Sequence, residues 1–349
     1  MRSIELIAPD DWHIHLRDTP YLVHTVKDAL KSFSRVLAMP NLTPPLTRVA
    51  DITAYRERIL KTLPQDSTFT PYFALYLKEN TDPSEIMLAK KSAFILGAKL
   101  YPAGVTTHSE EGVHSLKKLY PLFEVMQACG LVLEIHGEKA TPEIDLFARE
   151  SSFIKNTLIP MIRNFPRLKI VLEHISTHEA VDFIQNGSPH IAATLTPHHL
   201  LLNRNDLLQG SLKPHYYCMP ILKTKADQRS LVRAATSGDP HFFLGTDSAP
   251  HGNPDKHSAH CPAGIYHAPF AMALYAEVFE EAGDLSKLEN FSSRFGADFY
   301  GLSYNTTRII LEKTPQKIPE TLPFGEGFVT PLRAGQTLNW THFHEKNPS

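Results

Sequence analysis

The sequence predicts an α/β fold of the (β/α)8 type, a TIM barrel, with a short C-terminal extension. Three observations carry that prediction. Eight short apolar runs alternate with longer segments whose apolar residues recur at three- and four-residue spacing, the pattern of strands followed by amphipathic helices. Five of those runs close on a side chain able to bind a metal or move a proton. The length, 349 residues, is neutral between two domains and one barrel, since barrels are routinely long single domains.

The elements follow in order. The first strand closes on Asp11-Trp12-His13-Ile14-His15, with Arg17 just beyond; two residues apart on a strand, both imidazoles share one face. Residues 35–39 form the second strand and 69–76 the third. Residues 94–99 form the fourth and end in Lys99, 131–136 the fifth, ending in His136, and 169–174 the sixth, ending in His174. The seventh is 191–195, and the eighth, 242–247, ends in Asp247. Helical spacing covers 49–63, 114–128, 143–162, 178–185 and 226–235. Thr47 caps the first of these, and Thr177 with Glu179 caps the fourth. Residues 270–282 and 288–300 read as final helices on the outside of the barrel, and 319–340, with Gly325, Gly327 and Gly335, as an extended appendage. No internal repeat or low-complexity linker interrupts the chain, so 1–349 is expected to be a single domain.

Composition excludes several roles. Lys plus Arg number 35 and Asp plus Glu 37, a formal charge of -2, which provides neither a nucleic-acid face nor an acidic tail and leaves a small molecule as the expected partner. Three scattered cysteines, Cys129, Cys218 and Cys261, argue against a disulfide framework and for a reducing compartment. The N-terminus lacks a basic segment followed by an apolar core, and no apolar run spans a bilayer, so the expectation is a soluble cytoplasmic protein with no membrane partner. Nineteen histidines against three cysteines point to nitrogen and oxygen ligands, which favours a catalytic metal site over a structural zinc module. An open doubly wound sheet would not bring the tips of strands one, four, five, six and eight to one point; closure into a barrel would.

These residues resemble the amidohydrolase superfamily, and within it the bacterial single-barrel (type II) dihydroorotases. The resemblance runs through His13-Ile14-His15-Leu16-Arg17, Met39-Pro40-Asn41, Gly97-Ala98-Lys99-Leu100-Tyr101-Pro102 and Glu134-Ile135-His136-Gly137-Glu138. It continues through Glu173-His174-Ile175-Ser176, Thr196-Pro197-His198-His199-Leu200 and Gly245-Thr246-Asp247-Ser248-Ala249-Pro250-His251, covering most of the chain. His198 departs from the pattern, which has glutamine there. The His-x-His pair and the aspartate belong to the whole superfamily. Leu16-Arg17, Met39-Pro40-Asn41 and Ala249-Pro250-His251 narrow the resemblance to dihydroorotases.

The resemblance implies two Zn2+ per subunit, one held by His13, His15 and Asp247 and the other by His136 and His174, with Lys99 bridging both. A lysine ammonium has no lone pair to offer a cation. The family answer is a carbamate formed with CO2 on the Lys99 amine (N6-carboxylysine), for which Gly97 and Ala98 are expected to leave room. The other reading of Lys99 is a lysine paired with a core carboxylate. The implied nucleophile is a hydroxide bridging the metals, and Asp247 doubles as general acid and base.

Charge then selects the substrate. Two divalent cations less a hydroxide, a carbamate and Asp247 leave about one formal positive charge, to which Arg17 adds another, so the site suits an anion. Arg17 offers a two-pronged fork for a carboxylate, with Asn41 and His251 as further donors. By resemblance, Thr106 and Thr107 lie on a loop that closes over the substrate, and Met219 and Ala263 offer backbone groups to its ring. The implied reaction is reversible cyclisation of N-carbamoyl-L-aspartate to (S)-dihydroorotate in pyrimidine synthesis, in a homodimer. The alternatives are another cyclic amide or ureide, such as a hydantoin or allantoin, and a catalytically silent barrel with an assembly role. His215, His257, His260 and His267 remain unassigned, as solvated or structural histidines.

Overall fold

The chain is described by a computed structural model covering residues 2–344 except 108 and 110. A short strand, β1 (Ser3–Ile7), precedes the barrel. The barrel strands are β2 (Asp10–Ile14), β3 (Arg35–Ala38), β4 (Thr70–Tyr76), β5 (Ile95–Leu100), β6 (Val132–His136), β7 (Ile170–Glu173), β8 (Ile191–Leu195) and β9 (Phe242–Leu244). They pair in sequence order, every pair parallel, with helices in the connections. Such strands are covered on both faces, which is why β6 and β8 are buried at every position and read as continuous apolar runs.

Two apolar layers result. The larger lies between the strands and the surrounding helices. The smaller fills the inside of the barrel with Trp12, Leu37, Val132, Val171 and Phe243, and the helix Phe295–Tyr300 packs against it. Tyr300 stacks on Trp12 with ring centroids 4.7 Å apart and closes that end. The opposite end, where the strands terminate, is left to polar side chains.

The barrel closes between β2 and the chain just past β9. The Asp247 N–H donates to the His13 carbonyl at 2.8 Å, and the His15 N–H donates to the Ser248 carbonyl at 3.1 Å. Where further ladder bonds would be needed, the buried Asp11 carboxylate replaces them: it accepts from Thr246 N at 2.8 Å, Thr246 Oγ1 at 2.5 Å and His13 N at 3.1 Å. Gly245 permits close packing on both sides, since a Cβ there would lie 3.1 Å from the His13 Cβ of β2 and 2.6 Å from the Thr194 Cβ of β8.

Several expectations need correction. The first helix is Leu22–Ala29, which the spacing did not mark; the next, Val49–Leu60, is preceded by Arg48, not Thr47, as its extended cap residue, and Asp51 accepts from the Arg48 N–H at 3.1 Å. Thr177 caps His178–Gln185 as expected, accepting from Ala180 N. The helical stretch expected over 143–162 begins at Leu146 and includes a π-helical turn, Ile154–Leu158; a second π turn, Asn290–Arg294, precedes Phe295–Tyr300. Gly97 makes room for Glu134 as well, since a Cβ there would overlap Glu134 Oε1.

The appendage is also more than a C-terminal addition. β1 pairs with β10 (Arg308–Glu312), which pairs in turn with Thr341–His344, so both ends of the described chain share one sheet. The helix Ala271–Glu281 lies under the appendage and is buried along nearly its whole length. The fully buried Trp340 donates its indole N–H to Glu280 there. Among the described residues no helix is long and apolar enough to cross a membrane.

Candidate active site

The polar end of the barrel gathers the side chains that the strand ends deliver. His13 is central: its ring centroid lies 5.3 Å from that of His15 and 5.0 Å from that of His174, and His174 lies 4.7 Å from His136. Asp247 Oδ1 is 3.2 Å from His13 Nε2 and 2.9 Å from His15 Nε2. The other nitrogen of His13, Nδ1, lies 2.8 Å from Glu173 Oε1. Lys99 Nζ contacts the second oxygen of Glu173. The six side chains nominated from the sequence, His13, His15, Lys99, His136, His174 and Asp247, thus form one connected cluster, all of them at most 9 % exposed.

Some of these residues sit past the strands, not on them. Asp247 follows the end of β9 by three residues and has φ +48°; His174, just past β7, has φ +41°. On an ideal strand Glu173 and His174 would face opposite sides. The left-handed turn at His174 instead turns both toward His13. Arg17 is the third such residue, at φ +61°, held by the Tyr55 hydroxyl, which donates to its carbonyl. Non-glycine residues rarely adopt this conformation, so three of them at one mouth mark strain that the surrounding packing must hold.

Burial decides the protonation states. It pushes His13, His136 and His174 below the usual imidazole range and His15 down to about 3, so each presents a neutral lone pair. Burial alone would raise the Asp247 carboxyl, but its close approach to His13 and hydrogen bonds from His13 and His15 hold it well below the carboxylate range. Burial pulls the Lys99 amine down to about 7, against the opposing influence of Glu134 and Asp247. An amine in that range is partly neutral at physiological pH, the form that attacks CO2. The contact with Glu173 is the alternative lysine–carboxylate pairing, as expected of an unmodified amine among acceptors.

The cluster has the donor chemistry of a metal site. His13, His15 and Asp247 place one donor atom each within 4.8 Å of one another, as do His13, Glu173 and His174. His174 Nδ1 is buried with no hydrogen-bond partner, an orphan that a cation would satisfy. Glu138 Oε2, 2.8 Å from His136 Nε2, fixes that ring. Sequence reasoning gave no role to Glu138, Glu173 or Asp11. The signal was present: a carboxylate in an apolar strand one or two residues from a ligand-type histidine.

Above the cluster lies a small cavity of about 20 Å³ with His15 and Asp247 on its wall. Six of the seven expected substrate contacts line it: Arg17, Asn41, Thr106, Thr107, Met219 and Ala263. The seventh, His251, borders the adjoining outer cavity, where its Nε2 lies 3.0 Å from Arg17 Nη2 and 3.0 Å from the Ala263 carbonyl. The loop carrying the threonines is folded inward. Thr107 Oγ1 donates to the Ala263 carbonyl at 3.2 Å, and Asn41 Nδ2 donates to the Thr107 carbonyl at 3.1 Å. Buried Ser109 braces the turn, bonding both the N–H and the carbonyl of Thr106.

A second group, His198, His199 and Cys218, also clusters, but the bonds of His199 rule it out as a ligand. Its Nδ1 lies 2.8 Å from Thr196 Oγ1 and its Nε2 lies 2.9 Å from the Pro220 carbonyl, so both nitrogens are engaged. His267 is buried beside His198 and His215 pairs with His257, both structural arrangements.

Comparison with known proteins agrees with this geometry. Residues 6–310 match the model of the amidohydrolase family. The dihydroorotase of Coxiella burnetii is 54 % identical over 348 residues, 99 % of this chain and 100 % of that protein. The chain belongs to the dihydroorotase family. The crystal structure of the Saccharomyces cerevisiae dihydroorotase in complex with 5-fluoroorotic acid superposes with a TM-score of 0.93 at 34 % identity, covering all of both chains. The Campylobacter jejuni dihydroorotase superposes at 0.90 with 35 % identity over 98 % of each. Like those dihydroorotases, the chain is a hydrolase built on a parallel eight-stranded barrel.

Proposed function

We propose that the chain catalyses the dihydroorotase reaction of pyrimidine biosynthesis, the reversible cyclisation of N-carbamoyl-L-aspartate to (S)-dihydroorotate, at the mouth of the barrel. The observation that carries this reading is the meeting of His13, His15, His136, His174, Asp247 and Lys99 beneath a cavity that also holds Arg17. Two zinc ions would be held by this donor set, one by His13, His15 and Asp247 and the other by His136 and His174, with a carbamate on Lys99 as a further ligand. When bound, they supply an activated water and polarise the amide carbonyl.

The chain's own groups do the rest. Burial lowers Arg17 only to about 10, so it stays cationic at neutral pH and pairs with the substrate carboxylate. Its Nε donates to the Pro250 carbonyl at 2.9 Å, which fixes the direction of the guanidinium. Asn41 and His251 add donors around the same carboxylate, and Met219 and Ala263 present backbone groups to the ring. In ring opening Asp247 takes the proton of the attacking water and delivers it to the amide nitrogen as the C–N bond breaks; ring closure reverses the transfer. Thr106 and Thr107 close the cavity and exclude bulk water.

The assignment extends to one domain over 1–349, acting as a homodimer in the cytoplasm; symmetric dimers are the commonest soluble assemblies. Zinc-replete protein assayed against dihydroorotate, a hydantoin and allantoin tests the reading. Turnover confined to dihydroorotate with two zinc ions per chain is expected. No turnover of dihydroorotate, or less than one zinc per chain, overturns it.

A further inference from the structure

Lys256 lies outside the site, at the end of the short helix Asn253–Lys256, and is only 2 % exposed. Lysine is almost never buried so fully without a partner, because its ammonium must give up its water. Here all three ammonium protons go to backbone carbonyls: Tyr217 at 3.1 Å, Pro262 at 2.9 Å and Gly264 at 3.0 Å. Two of these carbonyls flank Ala263 on either side. The third belongs to the strap that reaches Met219 two residues later, and that same Tyr217 carbonyl also accepts from the Gly264 N–H at 3.0 Å.

The chain between those anchors has no slack. Gly264 adopts φ +153°, and a Cβ on it would lie 2.5 Å from the Ala249 carbonyl. The Ala263 carbonyl is where two other candidate contacts meet, Thr107 Oγ1 at 3.2 Å and His251 Nε2 at 3.0 Å. A surface loop of this kind would ordinarily place its backbone loosely. One buried cation bonded on both sides of Ala263 removes that freedom.

We propose that Lys256 is a positioning residue for substrate binding: it sets the backbone of Ala263, and through Tyr217 that of Met219, at the distance the substrate ring requires. It touches neither the substrate nor the metal donors, so its contribution falls on binding and not on the chemical step. The proposal rests on the assignment of Ala263 as a substrate contact made above. Lys256→Met keeps the volume but leaves three carbonyls without their donor, so Lys256→Gln is made beside it.

The test compares zinc-replete wild type with Lys256→Met, measuring kcat and KM for dihydroorotate and, by calorimetry, the Kd for orotate, an unreactive planar analogue. The expected result is a rise of at least about tenfold in KM and in Kd, the loss of hydrogen bonds to a charged group, with kcat within threefold and zinc unchanged. KM and Kd within twofold of wild type overturn the proposal, as does a fall in kcat and zinc content at unchanged Kd. Lys256→Gln, which retains two donors, decides the matter if the methionine variant does not fold: a KM raised at least threefold at unchanged kcat supports the proposal, and a wild-type KM overturns it. Failure of wild type itself to turn over dihydroorotate would instead strike the functional assignment.

Discussion

Asp247 meets His13 twice, through a backbone hydrogen bond of 2.8 Å that closes the barrel and through a side-chain approach of 3.2 Å that forms the site. The seam of the barrel and the candidate metal donors are therefore one structure, and Asp11 is its fastening. Asp11→Ala leaves the buried N–H groups of Thr246 and His13 without their acceptor. Each such loss costs about 1–3 kcal/mol, so a destabilisation of about 2–6 kcal/mol is expected in urea unfolding, together with weaker zinc retention on dialysis. Asp11→Asn keeps an acceptor oxygen and is expected to lose less than half as much.

The proposed carbamate on Lys99 makes metal loading depend on CO2. Metal-free protein reconstituted with zinc in CO2-free buffer is expected to recover little activity until bicarbonate is added, and carbon-13 bicarbonate is expected to give a carbamate resonance that Lys99→Ala lacks. Full recovery without bicarbonate would leave Lys99 as the partner of Glu173 and nothing more.

Arg17→Met removes the guanidinium proposed to face the substrate carboxylate. Loss of a charge-assisted bond of about 1.5–3 kcal/mol corresponds to a rise of about 10- to 150-fold in KM, with zinc content unchanged. Steady-state kinetics in both directions checks this, since both substrates carry the carboxylate.

The lid is tested by Thr106→Ala combined with Thr107→Ala. Turnover is expected to fall by at least about a hundredfold while both zinc ions remain bound, because the donors of the cluster lie beneath the loop and not on it. Unchanged turnover would remove the loop from the mechanism.

A stability effect with a definite pH sign lies away from the site. His178 Nδ1 is 2.7 Å from Asp227 Oδ1, a link between two outer helices. That hydrogen bond holds His178 above the usual imidazole range. Burial would raise Asp227, but bonds from Thr224 and His178 bring it below the carboxylate range. The histidine's contribution is complete below its unfolded value of about 6.5 and lost as pH rises through the folded one; the aspartate's is complete above about 3.9 and lost as pH falls through its depressed folded value. The destabilisation by His178→Ala is expected to be larger at pH 5.5 than at pH 9, by less than about 1 kcal/mol because the imidazole is exposed. Equal destabilisation at both pH values would contradict the pairing.

Much of the architecture was legible in the linear order. Parallel strands covered on both sides must be nearly all apolar, so residues 131–136 and 191–195 stand out with no knowledge of their neighbours. Polar residues close several of those runs, and the structure brings them together in one cluster; Glu134 and Thr194 interrupt two of the runs from within. β1 escaped notice because its partner, β10, lies some three hundred residues away, and a strand is recognisable locally only when its face is buried by nearby chain. Glu138 and Glu173 escaped for a related reason: a carboxylate beside a histidine has meaning only once its distance to that ring is known.

Residue order alone settled which chemistry was available: the donors, their place at strand ends and the cation beyond them all follow from periodicity, which is a local property. Folding settled where those groups point. The left-handed turns at Arg17, His174 and Asp247, the fastening by Asp11 and the inward fold of the threonine loop arise from contacts between segments remote in the chain. No pattern along a single strand encodes such contacts, because their energy exists only when the barrel closes.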